Sequence, residues 1–88
     1  MSHTYRLTVA SPDGNLFEGD VYSLSLRGVE GELAILAGHT PFITSVVPCT
    51  CRIEEEDGTE HLGHTEGGIL TVSSEGTVLL ASSFTMQE

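Results

Sequence analysis

The hydrophobic residues of the chain alternate with polar ones over short segments, instead of recurring at helical spacing. The period of two runs through Tyr5, Leu7 and Val9, then through Leu24 and Leu26, Leu33 and Ile35, Cys51 and Ile53, Leu70 and Val72, and Val78 and Leu80. Residues two apart share one face of an extended strand. The pattern therefore predicts strands throughout and requires no helix.

Turn-forming residues separate these segments at intervals that suit a β-sandwich. They lie at 12–15, 28–31, 38–41, 57–58, 67–68 and 75–76. The Asp57-Gly58 pair predicts a tight hairpin with its glycine at positive φ. Residues 85–88 are predicted to be a short polar end. Since no linker or repeat interrupts the chain, we expect residues 1–88 to form one domain.

The composition is that of an ordinary ordered domain whose stability depends on apolar packing. The 88 residues leave room for one core, and a chain this short buries a smaller share of its surface than a typical domain does. Apolar residues make up 39%, and two cysteines are too few for a scaffold of several disulfides. Part of the stability is therefore expected to come from a partner.

The charge limits which partners the chain can bind. Thirteen acidic residues against three basic ones give a formal net charge of −10. Such a chain repels nucleic acid phosphates and anionic lipid, so we expect no nucleic acid and no direct lipid binding. A basic or neutral protein surface is the expected partner, bound in a way that depends on ionic strength. With no apolar stretch long enough to span a bilayer, we expect a cytosolic chain.

The segment Gly31-Glu32-Leu33-Ala34-Ile35-Leu36-Ala37-Gly38-His39-Thr40-Pro41 resembles a pattern of the epsilon subunit of F-type ATP synthases, namely Gly-Glu-x-Gly-x-Leu followed by Pro-Gly-His-x-Pro. Similarity extends to the opening hairpin at 8–19, to the Gly-Gly-x-Leu-x-Val strand at 67–72 and to the closing strand at 78–81. The chain departs from the family pattern at Ala37, usually proline, at Cys49, usually glycine, and at residues 81–83, which replace a more acidic ending.

The resemblance implies an all-β fold, a ten-stranded antiparallel β-sandwich corresponding to the family's N-terminal domain. It also implies a non-catalytic, cofactor-free rotor subunit of the central stalk in a proton-translocating synthase. Such a subunit couples the gamma subunit to the c ring at the cytoplasmic face of the bacterial inner membrane. Most members continue into a C-terminal helical hairpin, which these 88 residues do not include. The resemblance therefore does not imply the regulatory role of that hairpin for these residues.

Two groups of site residues follow from the resemblance. Expected to face the c ring are Glu30, Gly31 and Glu32. Expected to face gamma are Ser11, His39, Phe42, Ile43 and Thr44. Three of these residues also have a simpler interpretation. Glu32 would be a solvated turn carboxylate, His39 a loop-capping residue, and Phe42 part of the core.

The competing chemical hypothesis is a metal site made from Cys49, Cys51, His61 and His64. The Cys-x-Cys spacing is shorter than that of zinc knuckles, and His61 and His64 would lie on opposite faces of a strand. No nucleophile elbow, phosphate loop or dinucleotide motif occurs. Two alternatives to the rotor function stay open: an acidic β-sandwich adapter for a different basic partner, and a metal-dependent enzyme.

Overall fold

The computed structural model describes residues 3–87 as a succession of ten β-strands. Their bounds are β1 Tyr5–Ser11, β2 Gly14–Val21, β3 Ser23–Gly28, β4 Gly31–Leu36, β5 Phe42–Val46, β6 Cys49–Glu54, β7 Glu60–Thr65, β8 Gly68–Ser73, β9 Gly76–Ala81 and β10 Phe84–Gln87. Within this part of the chain there is no helix that could cross a membrane. The predicted all-β, ten-stranded sandwich is confirmed.

The strands form a ladder that folds over into two layers. Its order is β10-β7-β6-β3-β5-β8-β9-β1-β2, with β4 on the other edge of β3. Because β3 and β5 are paired only at Gly28 and Val46, the ladder turns at this point. One layer therefore contains β2, β1, β9, β8 and β5, and the other contains β10, β7, β6, β3 and β4.

The core lies between the layers and is built from alternate residues of nearly every strand. Its most enclosed side chains, all with under 2% of their surface exposed, include Leu7, Val9, Val21, Leu24, Ile35, Cys51, Ile53, Leu70 and Leu79. Tyr5, Phe17, Leu33 and Phe42 pack against it from the margins. The Tyr5 hydroxyl donates to the Ile35 carbonyl at 2.8 Å. Burial raises the pKa of Tyr5 above its ordinary value.

The expectation of a wholly antiparallel sandwich is wrong for one strand pair. Strands β1 and β9 are parallel, with Leu7 opposite Thr77 and Ala10 opposite Leu80. A tight turn forces antiparallel pairing only between consecutive strands. The chain between β1 and β9 contains seven other strands, which leaves their relative direction free.

The C-terminal segment also differs from its prediction. Residues 84–87 form β10, which pairs with β7 from Phe84 opposite Thr65 to Gln87 opposite Leu62. The polar end predicted for 85–88 is therefore strand as far as Gln87, and Glu88 lies outside the described residues. Polar residues suit this position because Thr85 and Gln87 belong to an edge strand and are exposed.

The hairpin predicted at Asp57-Gly58 joins β6 to β7, but its connection is longer than a two-residue turn, because Glu54 pairs with Glu60 and residues 55–59 lie between the strands. Gly58 adopts φ 95°, and its amide donates to the Glu55 carbonyl at 3.0 Å. The Asp57 carboxylate accepts from the Thr59 amide at 2.9 Å, and this bond lowers the pKa of Asp57. The turn is thus set locally, by a glycine and an acidic side chain acting on their own backbone.

The two connections that lead from one layer to the other late in the chain meet at Gly67. Its carbonyl accepts from the Ser82 amide at 2.9 Å and from the Ser82 hydroxyl at 3.2 Å. The buried Thr65 hydroxyl donates to the same carbonyl and accepts from the Gly67 amide. Next to it, a Cβ on Gly68 would lie 2.1 Å from the Leu80 carbonyl oxygen. The corner therefore closes only with glycine at position 68.

Replacing Gly68 by alanine is expected to lower the free energy of unfolding by roughly 3 kcal/mol, the upper end of overpacking costs, because the methyl group would meet backbone. Gly19→Ala is the matched control, since the nearest atom to its Cβ belongs to the Phe17 ring at 3.8 Å. We expect the control to stay within about 0.5 kcal/mol of the parent. Urea unfolding followed by circular dichroism measures both, and equal stabilities would contradict the close-approach explanation.

Candidate functional site: two interaction surfaces

The central part of the outward side of the β5-β8-β9-β1 layer is an uncharged surface, which we call the apolar face. Two rows of directly paired residues form it. One row is Ile43, Thr71, Val78 and Thr8, and the other is Ser45, Ile69, Leu80 and Ala10. Ile43 is 67% exposed, Leu80 55% and Ile69 40%. A sheet whose outward side is apolar is usually one that another element covers.

The predicted gamma-facing residues of β5 divide between the two sides of the strand. Ile43 lies on the apolar face, whereas Phe42 and Thr44 point the other way and are half-buried. Phe42 packs against the core, and the His39 ring lies on it with centroids 5.0 Å apart. Phe42 is therefore a core-margin residue, and of these three only Ile43 is presented outward.

His39 and Ser11 make local hydrogen bonds. The Nδ1 atom of the exposed His39 lies 2.7 Å from the Thr40 carbonyl oxygen, and its amide donates to the Leu36 carbonyl. Ser11, half-buried at the end of β1, accepts from the Asp13 amide at 3.2 Å. β1 is three strands away from β5 in the same layer, about 14 Å at the usual strand spacing. The structure thus does not bring Ser11 and His39 together.

The predicted c-ring-facing residues lie at the hairpin corner, defined as Glu30, Gly31 and Glu32 between β3 and β4. All three are exposed. Glu32 is paired across the strands with Arg27, whose Nη2 donates to Glu32 Oε2 at 3.2 Å. The side chain of Glu32 is nonetheless 79% exposed. An ion pair this open contributes little to stability, so the carboxylate is available to a partner.

The hairpin corner and His39 lie at opposite ends of β5. The corner is tied to the end of β5, because the Val29 amide donates to the Ser45 carbonyl and Gly28 pairs with Val46. His39 contacts Phe42, the first residue of the strand. Four residue steps of an extended strand amount to about 13 Å. His39 is therefore separate from the hairpin corner, whereas Thr44 and Ser11 lie toward the corner's end of the layer.

Beside the hairpin corner is a cavity of about 850 Å³ on the outward side of the other layer, which we call the arginine groove. Its lining combines charged and apolar side chains and includes Arg27, Glu32, Ala34, Pro48, Arg52 and Leu62. Ion pairs cross the outward side of this layer beside the groove, whereas the two rows of the apolar face carry no charge. Besides Arg27 with Glu32, Arg52 Nη1 lies 4.0 Å from Glu60 Oε2.

The comparison that decides the family concerns nearly the whole chain. The profile of the family described as "ATP synthase, Delta/Epsilon chain, beta-sandwich domain" matches residues 4–87. The chain belongs to this family. The ATP synthase epsilon chain, sodium ion specific, of Acetobacterium woodii is 40% identical over 83 residues, which are 94% of this chain and 62% of that relative. The resemblance seen in the sequence is thereby confirmed.

Solved structures of ATP synthases contain the same fold. A chain in the cryo-EM structure of the Euglena gracilis mitochondrial ATP synthase, OSCP/F1/c-ring in rotational state 1, superposes with a TM-score of 0.90 at 23% identity, covering 98% of this chain and 55% of that one. A chain of the Tetrahymena thermophila mitochondrial ATP synthase central stalk/c-ring structure gives 0.72 at 15%, covering 90% and 63%. This chain spans less than two thirds of each relative's length.

The cysteines and histidines of this epsilon-type sandwich do not converge. Among residues 3–87, no group of three or more His, Cys, Asp or Glu side chains could hold a metal ion. His61 Nε2 lies 2.5 Å from Glu55 Oε2, and His64 Nε2 lies 2.7 Å from Glu66 Oε2. His61 is paired with the core residue Ile53, and His64 with the exposed Thr50. The two rings therefore occupy opposite faces of β7.

Sequence reasoning missed four residues that shape the surfaces: Ile69, Leu80, Arg27 and Arg52. A signal for the first two was available, because Ile69-Leu70 and Val78-Leu79-Leu80-Ala81 are apolar at consecutive positions. Such runs are typical of strands covered on both faces. The period-two interpretation of Val78 and Leu80 did not say which face is buried, and in β9 the buried residues are Thr77, Leu79 and Ala81.

Burial gives Cys51 a measurable effect on stability. Removal from water, reinforced by the neighbouring Cys49, raises the pKa of the Cys51 thiol from 9.0 to about 12. The folded state therefore holds this proton more tightly than the unfolded state does. The stabilisation is complete below pH 9 and is lost as the pH rises toward 12.

We expect the free energy of unfolding of the reduced protein to fall above about pH 9, by up to about 1.4 kcal/mol per pH unit from this thiol. In Cys51→Ala the fall should be shallower, because that contribution is gone, while Tyr5 and other alkaline groups act on both proteins. Urea titrations between pH 8 and 11 measure the two slopes. Identical slopes would contradict the burial effect, whatever the absolute stabilities are.

Proposed function

We propose that this chain is the epsilon-type rotor subunit of an F-type ATP synthase, coupling the gamma subunit to the c ring. The observation that carries the proposal is the pairing of family membership with two separate surfaces of different chemistry. Residues 1–88 are proposed to act as one domain. A stiff sandwich whose two contact surfaces belong to different layers suits the transmission of torque, because packed sheets resist deformation.

The apolar face is proposed to bind gamma. Interfaces that stay closed throughout a rotation need an apolar centre with few charges, and the two rows of this face carry none. Ile43, Ile69 and Leu80 supply the exposed apolar area. Ser11, His39, Phe42 and Thr44 remain proposed gamma-facing residues, with Phe42 acting from behind by supporting the His39 loop.

The hairpin corner is proposed to bind the polar loops of the c ring, with Glu32 accepting a basic side chain. An arginine bound to a carboxylate forms a charge-assisted hydrogen bond, stronger than a neutral one. The net charge of −10 favours this direction of pairing. Glu30, one residue before Gly31, adds to the local negative field.

The subunit is proposed to be non-catalytic, with no cofactor, and to lie at the cytoplasmic face of the bacterial inner membrane through the complex. The transported ion is proposed to be the proton, as the family resemblance implies. The 40% identical relative is named sodium ion specific, which makes Na⁺ the alternative ion to test. Pumping by inverted membrane vesicles, measured with a proton indicator with and without Na⁺, distinguishes the two ions.

Placing a charge on the apolar face should prevent gamma binding. We expect Ile69→Asp to weaken the association with purified gamma by about 100-fold, because a carboxylate would be buried without a partner. Leu62→Asp is the matched control, since Leu62 is also 40% exposed but lies on the other layer. Titration calorimetry of the parent and of both variants with purified gamma measures the three dissociation constants.

If neither variant affects gamma binding, the apolar face is not the gamma surface. If the parent chain does not bind gamma but captures another basic protein, the adapter function replaces the rotor proposal.

Removing the Glu32 carboxylate should weaken c-ring association and leave the fold intact. We expect Glu32→Ala to weaken binding to the isolated c ring about tenfold and Glu32→Arg more strongly, since the latter sets like charges against each other. Loss of the exposed pair with Arg27 should change the unfolding free energy by less than about 1 kcal/mol. Glu56→Ala, at the exposed β6–β7 turn, serves as control.

Co-sedimentation with c-ring proteoliposomes measures the affinity, and ATP synthesis by the assembled enzyme measures the consequence. Unchanged binding and synthesis in both Glu32 variants would reject this role.

A further inference from the structure

The arginine groove has a charge opposite to that of the chain. Two of the three basic residues in the sequence, Arg27 and Arg52, line it against one acidic residue, Glu32. Arg52 pairs with Ser25 across β3 and β6, so Arg27, two residues after Ser25, is its diagonal neighbour on the same face. Diagonal neighbours have Cα atoms about 7–8 Å apart, within the joint reach of two arginine side chains.

Hydrogen bonds within the chain leave donor groups of both arginine side chains open to a partner. The Arg52–Glu60 separation of 4.0 Å is too long for a hydrogen bond. Both arginine side chains are more than half exposed. Arg27 does hydrogen-bond to Glu32, but Glu32 is the carboxylate proposed to accept a basic group of the c ring. A basic side chain of a partner that reaches Glu32 also comes close to the Arg27 guanidinium, and a carboxylate on the same partner would offset this like-charge contact.

We propose that the arginine groove binds an acidic side chain of the c-ring loop, held between Arg27 and Arg52, next to the basic side chain that Glu32 accepts. The inference rests on the proposed c-ring contact and deepens it. The partner loop must then carry both signs of charge, because its basic side chain pairs with Glu32 and its acidic side chain with the two arginines. A purely basic loop would leave the repulsion between Arg27 and the incoming cation without an offsetting carboxylate.

The remaining lining of the groove fits a polypeptide loop. Ala34, Pro48 and Leu62 supply apolar walls, and Ser25 and Thr50 supply hydroxyl groups for backbone atoms. A cavity of about 850 Å³ is within the range of sites that enclose several side chains. The guanidinium fork favours carboxylate over carbonyl acceptors, because it binds both oxygens at once.

The test uses the full chain and the isolated c ring in detergent. We expect Arg52→Glu to weaken binding about tenfold or more, because it opposes the acidic loop residue with a like charge. Arg6→Glu, which changes charge equally on β1 beside Glu18 and Asp20, should leave binding unchanged. Replacing the acidic loop residue of the ring by lysine should restore binding to Arg52→Glu.

The outcomes separate this inference from the rotor proposal. No binding of the parent chain to the ring rejects the rotor proposal itself. Parent binding that Arg52→Glu leaves unchanged, or c-ring loops with no acidic residue, overturns only the groove inference. Binding of inorganic phosphate that requires Arg52, with ring affinity unaffected, would also overturn it and indicate a small-anion site instead.

Discussion

The sandwich depends on a contact between two stretches of backbone at its corner. The start of β8 lies so close to the Leu80 carbonyl that Gly68 has no room for a side chain, and the Gly67 carbonyl next to it gathers hydrogen bonds from Thr65 and Ser82. These bonds join the connections that carry the chain between layers. Because the layers are fixed relative to each other here, the outward faces of both keep a constant relative orientation.

Because the two layers are held rigidly, their outward sides can contact two different partners at a fixed relative orientation. One layer presents the uncharged apolar face, with the charges of Arg6, Glu18 and Asp20 confined to its β1–β2 edge, and the other layer has paired charges and a groove. The apolar side suits contact that is made once and kept, since its burial is favourable whatever the ionic strength. The charged side suits contact whose strength varies with salt and geometry. A small subunit can thus hold two neighbours by different physical means without conformational change.

Alternation and turn chemistry were sufficient to predict most of the strands and the β6–β7 hairpin, because both are local properties of the chain, but not β10, whose Thr85 and Gln87 are polar. The parallel pairing of β1 with β9 was not predictable, since it joins residues seventy positions apart, such as Leu7 and Thr77. The Arg27–Glu32 pair depends on the β3–β4 register, which the spacing of Gly28 and Gly31 contains only implicitly. The consecutive apolar residues of β8 and β9 indicate that both faces of these strands are covered. Which residues form the outward apolar face could not be predicted without knowing which side of each strand is buried.

The β1–β9 pairing has a consequence for biosynthesis. Strand β1 has β9 as one of its two neighbours, and β9 is translated only after seven further strands have been made. Until then the β1–β2 hairpin has one open edge and an uncovered apolar side, and contacts between such distant residues form slowly. The β1–β9 pair therefore forms only after β9 has been translated, so the layer that contains both strands cannot be completed while the strands between them are still being made.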